Sequence, residues 1–349
     1  MTIPKTMRAA ILVEQNKPLI VDEVTLPDAL DVGQVLVKIQ CSGVCGSQLG
    51  EIDGAKGVDN YLPHMLGHEA SGVVQVVGAG VRHVKPGDHV VLHWRKSQGI
   101  ESLPPRYTWK GKQVNAGLIA TFNEYAIVSE NRVTRIEPTR DMEIASLFGC
   151  AVTTGFGVAE NNAKIRFGEA VVVFGAGGVG LNIVQAASLL SAHPIIAVDL
   201  YDGRLELAKS LGATHTINST VVNAKAAIKE IIAAQGLDVF IDNTGQPTII
   251  EMGYELVGAQ GRVVLVGVPR KGKTINIYSL PLHFGKSISG SHGGEGIPHL
   301  DIPRYHKLLD SGQIQLRPLI TEYFPLEDIN VAISRMRSGE MAGRCLIQM

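Results

Sequence analysis

Four cysteines, Cys41, Cys45, Cys150 and Cys345, are all that this chain of 349 residues contains. They are too few and too scattered to staple a chain of this length, so a disulfide framework is excluded and reduced thiols are expected. An excess of one charge is also missing: 32 basic residues against 33 acidic ones leave a net charge of -1. No global positive field exists to hold a polyanion, so nucleic acid is not an expected partner and a small molecule is. The N-terminal residues lack the apolar core of a secretion signal, and the expectation is a cytoplasmic protein. One stretch, 170–198, lacks every Asp, Glu, Lys and Arg, which raises the question of a membrane span. Glycines at 175, 177, 178 and 180, followed by Asn182 and Gln185, suit a strand, a tight turn and a buried helix instead.

What is present divides into two patterns. Up to about residue 150, short alternating runs at 9–13, 34–39, 72–77, 89–92 and 124–128 predict strands between Gly and Pro turns. From about 152, apolar strands at 170–174, 195–198, 239–242 and 263–268 alternate with helical segments at 180–192, 202–211, 224–235 and 247–256. That alternation is the signature of a parallel sheet covered on both faces. After a glycine cluster at 290–296 come two helical segments and a last strand at 345–348, read as returning to the first domain.

Chemistry enters with Gly43-Val44-Cys45-Gly46-Ser47, Gly67-His68-Glu69 and Gly149-Cys150. Two thiolates and an imidazole are what a catalytic zinc takes from protein, with the fourth corner open for water or substrate. A second motif, Gly175-Ala176-Gly177-Gly178-Val179-Gly180, lies between an apolar strand and a helix and is answered by Asp199 at the end of the next strand. In that context the glycines form a dinucleotide loop, and the helix N-terminus holds the pyrophosphate. Asp199 would accept the ribose hydroxyls and repel a 2′-phosphate, favouring NAD; Arg204 keeps NADP open as the lesser choice.

These motifs resemble those of the zinc-dependent alcohol and polyol dehydrogenase branch of the medium-chain dehydrogenase/reductase superfamily, over nearly the whole chain. The resemblance implies an α/β protein: a β-rich GroES-like catalytic domain, 1–151 and 292–349, and a doubly wound Rossmann coenzyme domain, 152–291. It implies Cys45, His68 and Cys150 as zinc ligands, with Glu69 beside the metal as an occasional ligand. Ser47 is similar to the hydroxyl that passes the alcohol proton toward solvent. Thr154, Val179 and Val268 sit where members of the family touch the coenzyme, and Arg344 where one reaches the pyrophosphate. A homodimer or homotetramer is implied as well.

Three positions depart from that pattern. Gly50 replaces the histidine that often ends the proton relay, leaving water, Glu51 or His64 as routes. Gln48 replaces an aspartate, and a neutral amide orients the zinc histidine without adding charge. The segment 93–112 contains no cysteine where many members carry a structural zinc, so one zinc per subunit is expected. It holds both tryptophans with Arg95, Lys96, Arg106, Lys110 and Lys112, which suits a phosphate-bearing or sugar-like substrate, a solvated lobe or a subunit contact. Two other readings stand beside the dehydrogenase: a zinc-free reductase of quinones or enones, and a non-catalytic nucleotide-binding relative.

Overall fold

The computed structural model describes residues 2–233, 235–339 and 341–349. A six-stranded parallel sheet runs in the order His215–Asn218, Ile195–Asp199, Val171–Phe174, Leu237–Asp242, Val257–Leu265, Ser287–Gly290. The chain builds outward from Val171–Phe174 on one side, then returns and builds outward on the other. A crevice opens at that switch, beyond the carboxyl ends of the strands.

Every side chain of Val171–Phe174 and Ile195–Asp199 is buried, which is why these strands read as unbroken apolar runs. Helices Gly178–Leu189, Asp202–Ser210, Ala224–Ile232 and Pro247–Leu256 make the crossovers. Asn223 caps the third by accepting the Ala226 N–H at 3.0 Å, and proline opens the fourth, where no amide bond is lost. One position of an expected element, Ala234 of the helix at 224–235, lies outside the described residues.

Three differences from the sequence reading have local causes. The edge strands His215–Asn218 and Ser287–Gly290 bury little, so no apolar pattern marked them. The strand expected at 263–268 spans Val257–Leu265, because the Val266 and Gly267 amides both turn to the Asp242 carbonyl, at 2.8 and 2.9 Å. The helices Met142–Ser146 and Ala151–Gly157 went unread between the two patterns; Asp141 caps the first by accepting the Glu143 N–H at 3.0 Å.

The remaining strands form two sheets. In the seven-stranded one, Glu69–Val77 and Arg344–Gln348 flank Gln34–Gly43 antiparallel, with Leu346 opposite Gly43. The C-terminal strand is thus built into the same sheet as Gln34–Gly43, near the start of the chain. The five-stranded sheet contains Thr6–Leu12, Ile20–Thr25 and the hairpin Tyr107–Trp109 with Lys112–Val114. Among the described residues, no single helix is long and apolar enough to cross a membrane.

Candidate active site

Cys45 ends the turn after Gln34–Gly43 and is the N-cap of the helix Gly46–Ile52. His68 stands just before Glu69–Val77, and Cys150 is the N-cap of Ala151–Gly157. The fold brings one ligand atom from each to within 4.8 Å of the others. Gly149 permits the approach, since a Cβ there would overlap the Leu92 carbonyl. Gln48, 1% exposed, accepts the Cys45 N–H through Oε1 at 2.8 Å and places its amide nitrogen on His68 Nδ1. The neutral amide therefore does orient the imidazole.

The charge state of the thiols favours a cation. A hydrogen bond from Cys150, then the Arg344 charge and His68, hold the Cys45 thiol well below its usual range despite burial. The same bond and burial push Cys150 up, so one proton is shared between two sulfurs. His68 Nε2 is buried without a hydrogen-bond partner, as is Ser47 Oγ on the first turn of the helix. An S, N, S donor set with an orphaned imidazole nitrogen fits zinc.

Glu69 is fully buried but lies outside that cluster of three. Its Oε2 accepts the Ala151 N–H at 3.2 Å, and its carboxylate pairs with Arg344. Arg344 also packs on the dinucleotide loop, where a Cβ at Gly178 would overlap its side chain. At Gly180 a Cβ would overlap the Gly175 carbonyl, whereas at Gly177 it would meet nothing. The loop is tight beneath and open above, which suits the close approach of a pyrophosphate. Val179 is half-buried on the first turn of the following helix. Thr154 Oγ1 lies 4.0 Å from Cys150 Sγ, and Val268, 60% exposed, abuts Gly245 at the crevice.

At the far end of the crevice, Asp199 accepts the Ala176 N–H at 2.7 Å through one oxygen and the Leu200 N–H at 2.7 Å through the other. Arg204 lies 3.6 Å from it, stacks over Tyr201 at 4.8 Å and donates to the Met341 carbonyl at 3.2 Å.

The segment 93–112 separates into two unrelated parts. Trp94 meets His292 edge-on at 4.9 Å and directs its indole N–H toward Cys150, while Arg95 donates to the His292 carbonyl at 2.7 Å. Trp109 and Lys110 instead bind Asp22 on the five-stranded sheet, at 2.9 and 3.1 Å. The contact of Trp94 with Cys150 was not foreseen, and no local pattern announces it. Of the candidate relay groups, His64 is held by Asp59 at 2.6 Å and the Met65 carbonyl at 3.2 Å, Glu51 lies 3.8 Å from Lys56, and neither touches Ser47.

Comparison with known proteins agrees with this geometry. The family described as "Alcohol dehydrogenase GroES-like domain" matches residues 31–138, and "Zinc-binding dehydrogenase" matches 178–311. The alcohol dehydrogenase class-3 of Cereibacter sphaeroides is 31% identical over 95% of this chain and 97% of its own. The S-(hydroxymethyl)glutathione dehydrogenase of Haemophilus influenzae is 32% identical, covering 95% of both. The crystal structure of benzyl alcohol dehydrogenase from Acinetobacter calcoaceticus superposes with a TM-score of 0.89 at 30% identity, over 99% of this chain and 100% of the other. With its GroES-like and Rossmann-type halves meeting at two thiols and an imidazole, the chain belongs to the zinc-type alcohol dehydrogenases of the medium-chain dehydrogenase/reductase superfamily.

Proposed function

We propose that the protein transfers hydride between an alcohol and NAD at a single zinc held by Cys45, His68 and Cys150. The observation that carries this reading is the convergence of those three side chains beside the unpartnered Ser47 hydroxyl. Bound there, zinc supplies Lewis-acid polarisation of the alcohol oxygen and nicotinamide supplies the hydride acceptor.

The chain's own residues do the rest. Ser47 Oγ, with no protein partner, takes the alcohol proton and hands it to water, since neither Glu51 nor His64 touches it. Gln48 orients His68, and Arg344 neutralises Glu69 while packing on the loop that receives the pyrophosphate. Asp199 presents a carboxylate side chain at the ribose end, an acceptor for ribose hydroxyls, which supports NAD over NADP. Arg204 there is already committed to Asp199, Tyr201 and Met341. We take 1–151 with 292–349 as the catalytic domain and 152–291 as the coenzyme domain, a division supported by the pairing of Arg344–Gln348 with Gln34–Gly43. We also infer a homodimer through the free edge strand Ser287–Gly290, beside which Tyr278 and Phe284 are 70% and 66% exposed.

The test pairs elemental analysis with NAD and NADP reduction on a panel of primary and secondary alcohols, polyols and sugar alcohols. One zinc per chain, lost with NAD-linked activity in Cys45→Ser, is expected. Full activity in metal-free protein would overturn the reading, and light scattering checks the dimer.

A further inference from the structure

The loop leaving the parallel sheet after Val257–Leu265 continues as Val268-Pro269-Arg270-Lys271-Gly272-Lys273, with three cations and no acid. Its root is fixed at the crevice, where Val268 lies against Gly245. From there it crosses to the other half of the protein. The Lys271 N–H donates to the Ala55 carbonyl at 2.8 Å, and the Lys271 side chain runs over Gly57, where a Cβ would stand 2.9 Å from its Cδ.

Ala55 and Gly57 belong to the loop that follows Gly46–Ile52, the helix capped by Cys45. Gln15 holds that loop from its other side, donating to the Gly57 carbonyl at 3.0 Å and accepting the Asp59 N–H at 3.1 Å. The coenzyme crevice and the Cys45 helix thus share a rim made where these two loops meet.

Among the described residues, Arg270, Lys271 and Lys273 are exposed and form no ion pair. On the facing loop the charges are already paired: Lys56 with Glu51 at 3.8 Å, Asp53 with Arg337, and Asp59 with His64 at 2.6 Å. In a chain whose net charge is -1, the three unpaired cations of 270–273 are therefore the uncompensated charge on this rim, a local source of positive potential. Guanidinium and ammonium groups are the natural partners of carboxylate and phosphate oxygens.

We propose that this rim selects alcohols, or the corresponding carbonyl compounds, that carry a carboxylate or phosphate remote from the reacting carbon; the proposal rests on the dehydrogenase reading above. Attraction at a rim acts on encounter and binding, not on the hydride step, so it is expressed in KM rather than kcat.

The experiment compares 6-hydroxyhexanoate with 1-hexanol as substrates of the zinc-loaded wild type and of the triple variant R270Q/K271Q/K273Q. Glutamine keeps the main-chain donor of Lys271. The acid-to-neutral ratio of kcat/KM is expected to fall by about tenfold in the variant, mostly through KM, and high salt is expected to lower it in the wild type. An unchanged ratio overturns the proposal and makes the loop a solvated surface. A rise confined to the KM for NAD overturns it too, by assigning the cations to the coenzyme phosphates.

Calorimetric binding of adipate in the presence of NADH separates this idea from the reading beneath it. Adipate binding lost in the variant, in a protein that oxidises no alcohol, upholds the rim and removes the dehydrogenase. Oxidation of hexanol with no adipate binding and no preference for the acid does the reverse.

Discussion

Arg344 and Glu69 form an ion pair sealed from solvent, with side chains 3% and 0% exposed. Glu69 directly follows the zinc-ligand candidate His68, and Arg344 begins the last strand of the chain while packing on Gly178 of the dinucleotide loop. One pair therefore spans the metal cluster, the C-terminal strand and the coenzyme loop. Arg344→Met leaves a buried carboxylate uncompensated, so unfolding free energy should drop by about 3–5 kcal/mol. The urea midpoint measures this. A midpoint like that of the wild type would show that Glu69 simply takes up a proton.

The two site thiols share a proton, with Cys45 held low by Cys150 and Arg344 and Cys150 held high by Cys45 and burial. Zinc uptake near pH 7.5 should therefore release about one thiol proton rather than two, and affinity should rise with pH. Calorimetry in buffers of different ionisation enthalpy counts the protons. Release of two would mean that the free protein holds both thiols neutral.

Ser47→Ala should slow alcohol oxidation by roughly 10²-fold or more, the scale of losing a positioned proton-transfer group, with zinc content retained. Because His64 is engaged by Asp59 and Met65, His64→Asn should leave the pH profile of kcat unchanged. A shifted profile in His64→Asn would restore it to the relay.

His93 is buried, with Nδ1 facing the Arg95 carbonyl at 2.7 Å and Nε2 the Thr134 hydroxyl at 2.9 Å. Burial pushes its pKa down to about 4. Between its ordinary value near 6.5 and that value, the unfolded chain binds the proton and the folded one resists it. Stability should therefore decline as pH falls through that window, by up to about 3 kcal/mol from this residue. His93→Gln should flatten the decline in a pH series of denaturation curves; an equally steep series would place the acid sensitivity elsewhere.

Local pattern carried much of the protein. The run Val171–Phe174 is apolar because both faces are covered, and a glycine loop between it and a helix has few other uses, so four of the six strands of the dinucleotide half, with the helices between them, were legible in order and type. Cys45, His68 and Cys150 each sit in a short glycine-flanked motif, so their chemistry could be named before their distances were known. Polar edge strands such as His215–Asn218 could not be read, because alternation appears only where one face is buried.

The sequence by itself determined the chemical inventory and the period of each element, since propensity, turn residues and burial pattern are local. Tertiary structure alone decided which groups meet. It put Arg344 on Glu69, turned Trp94 toward Cys150 and away from the Trp109 hairpin, and laid Lys271 across Gly57. Those contacts join residues far apart in the chain, and they depend on where whole strands and loops pack, which no short window of residues encodes.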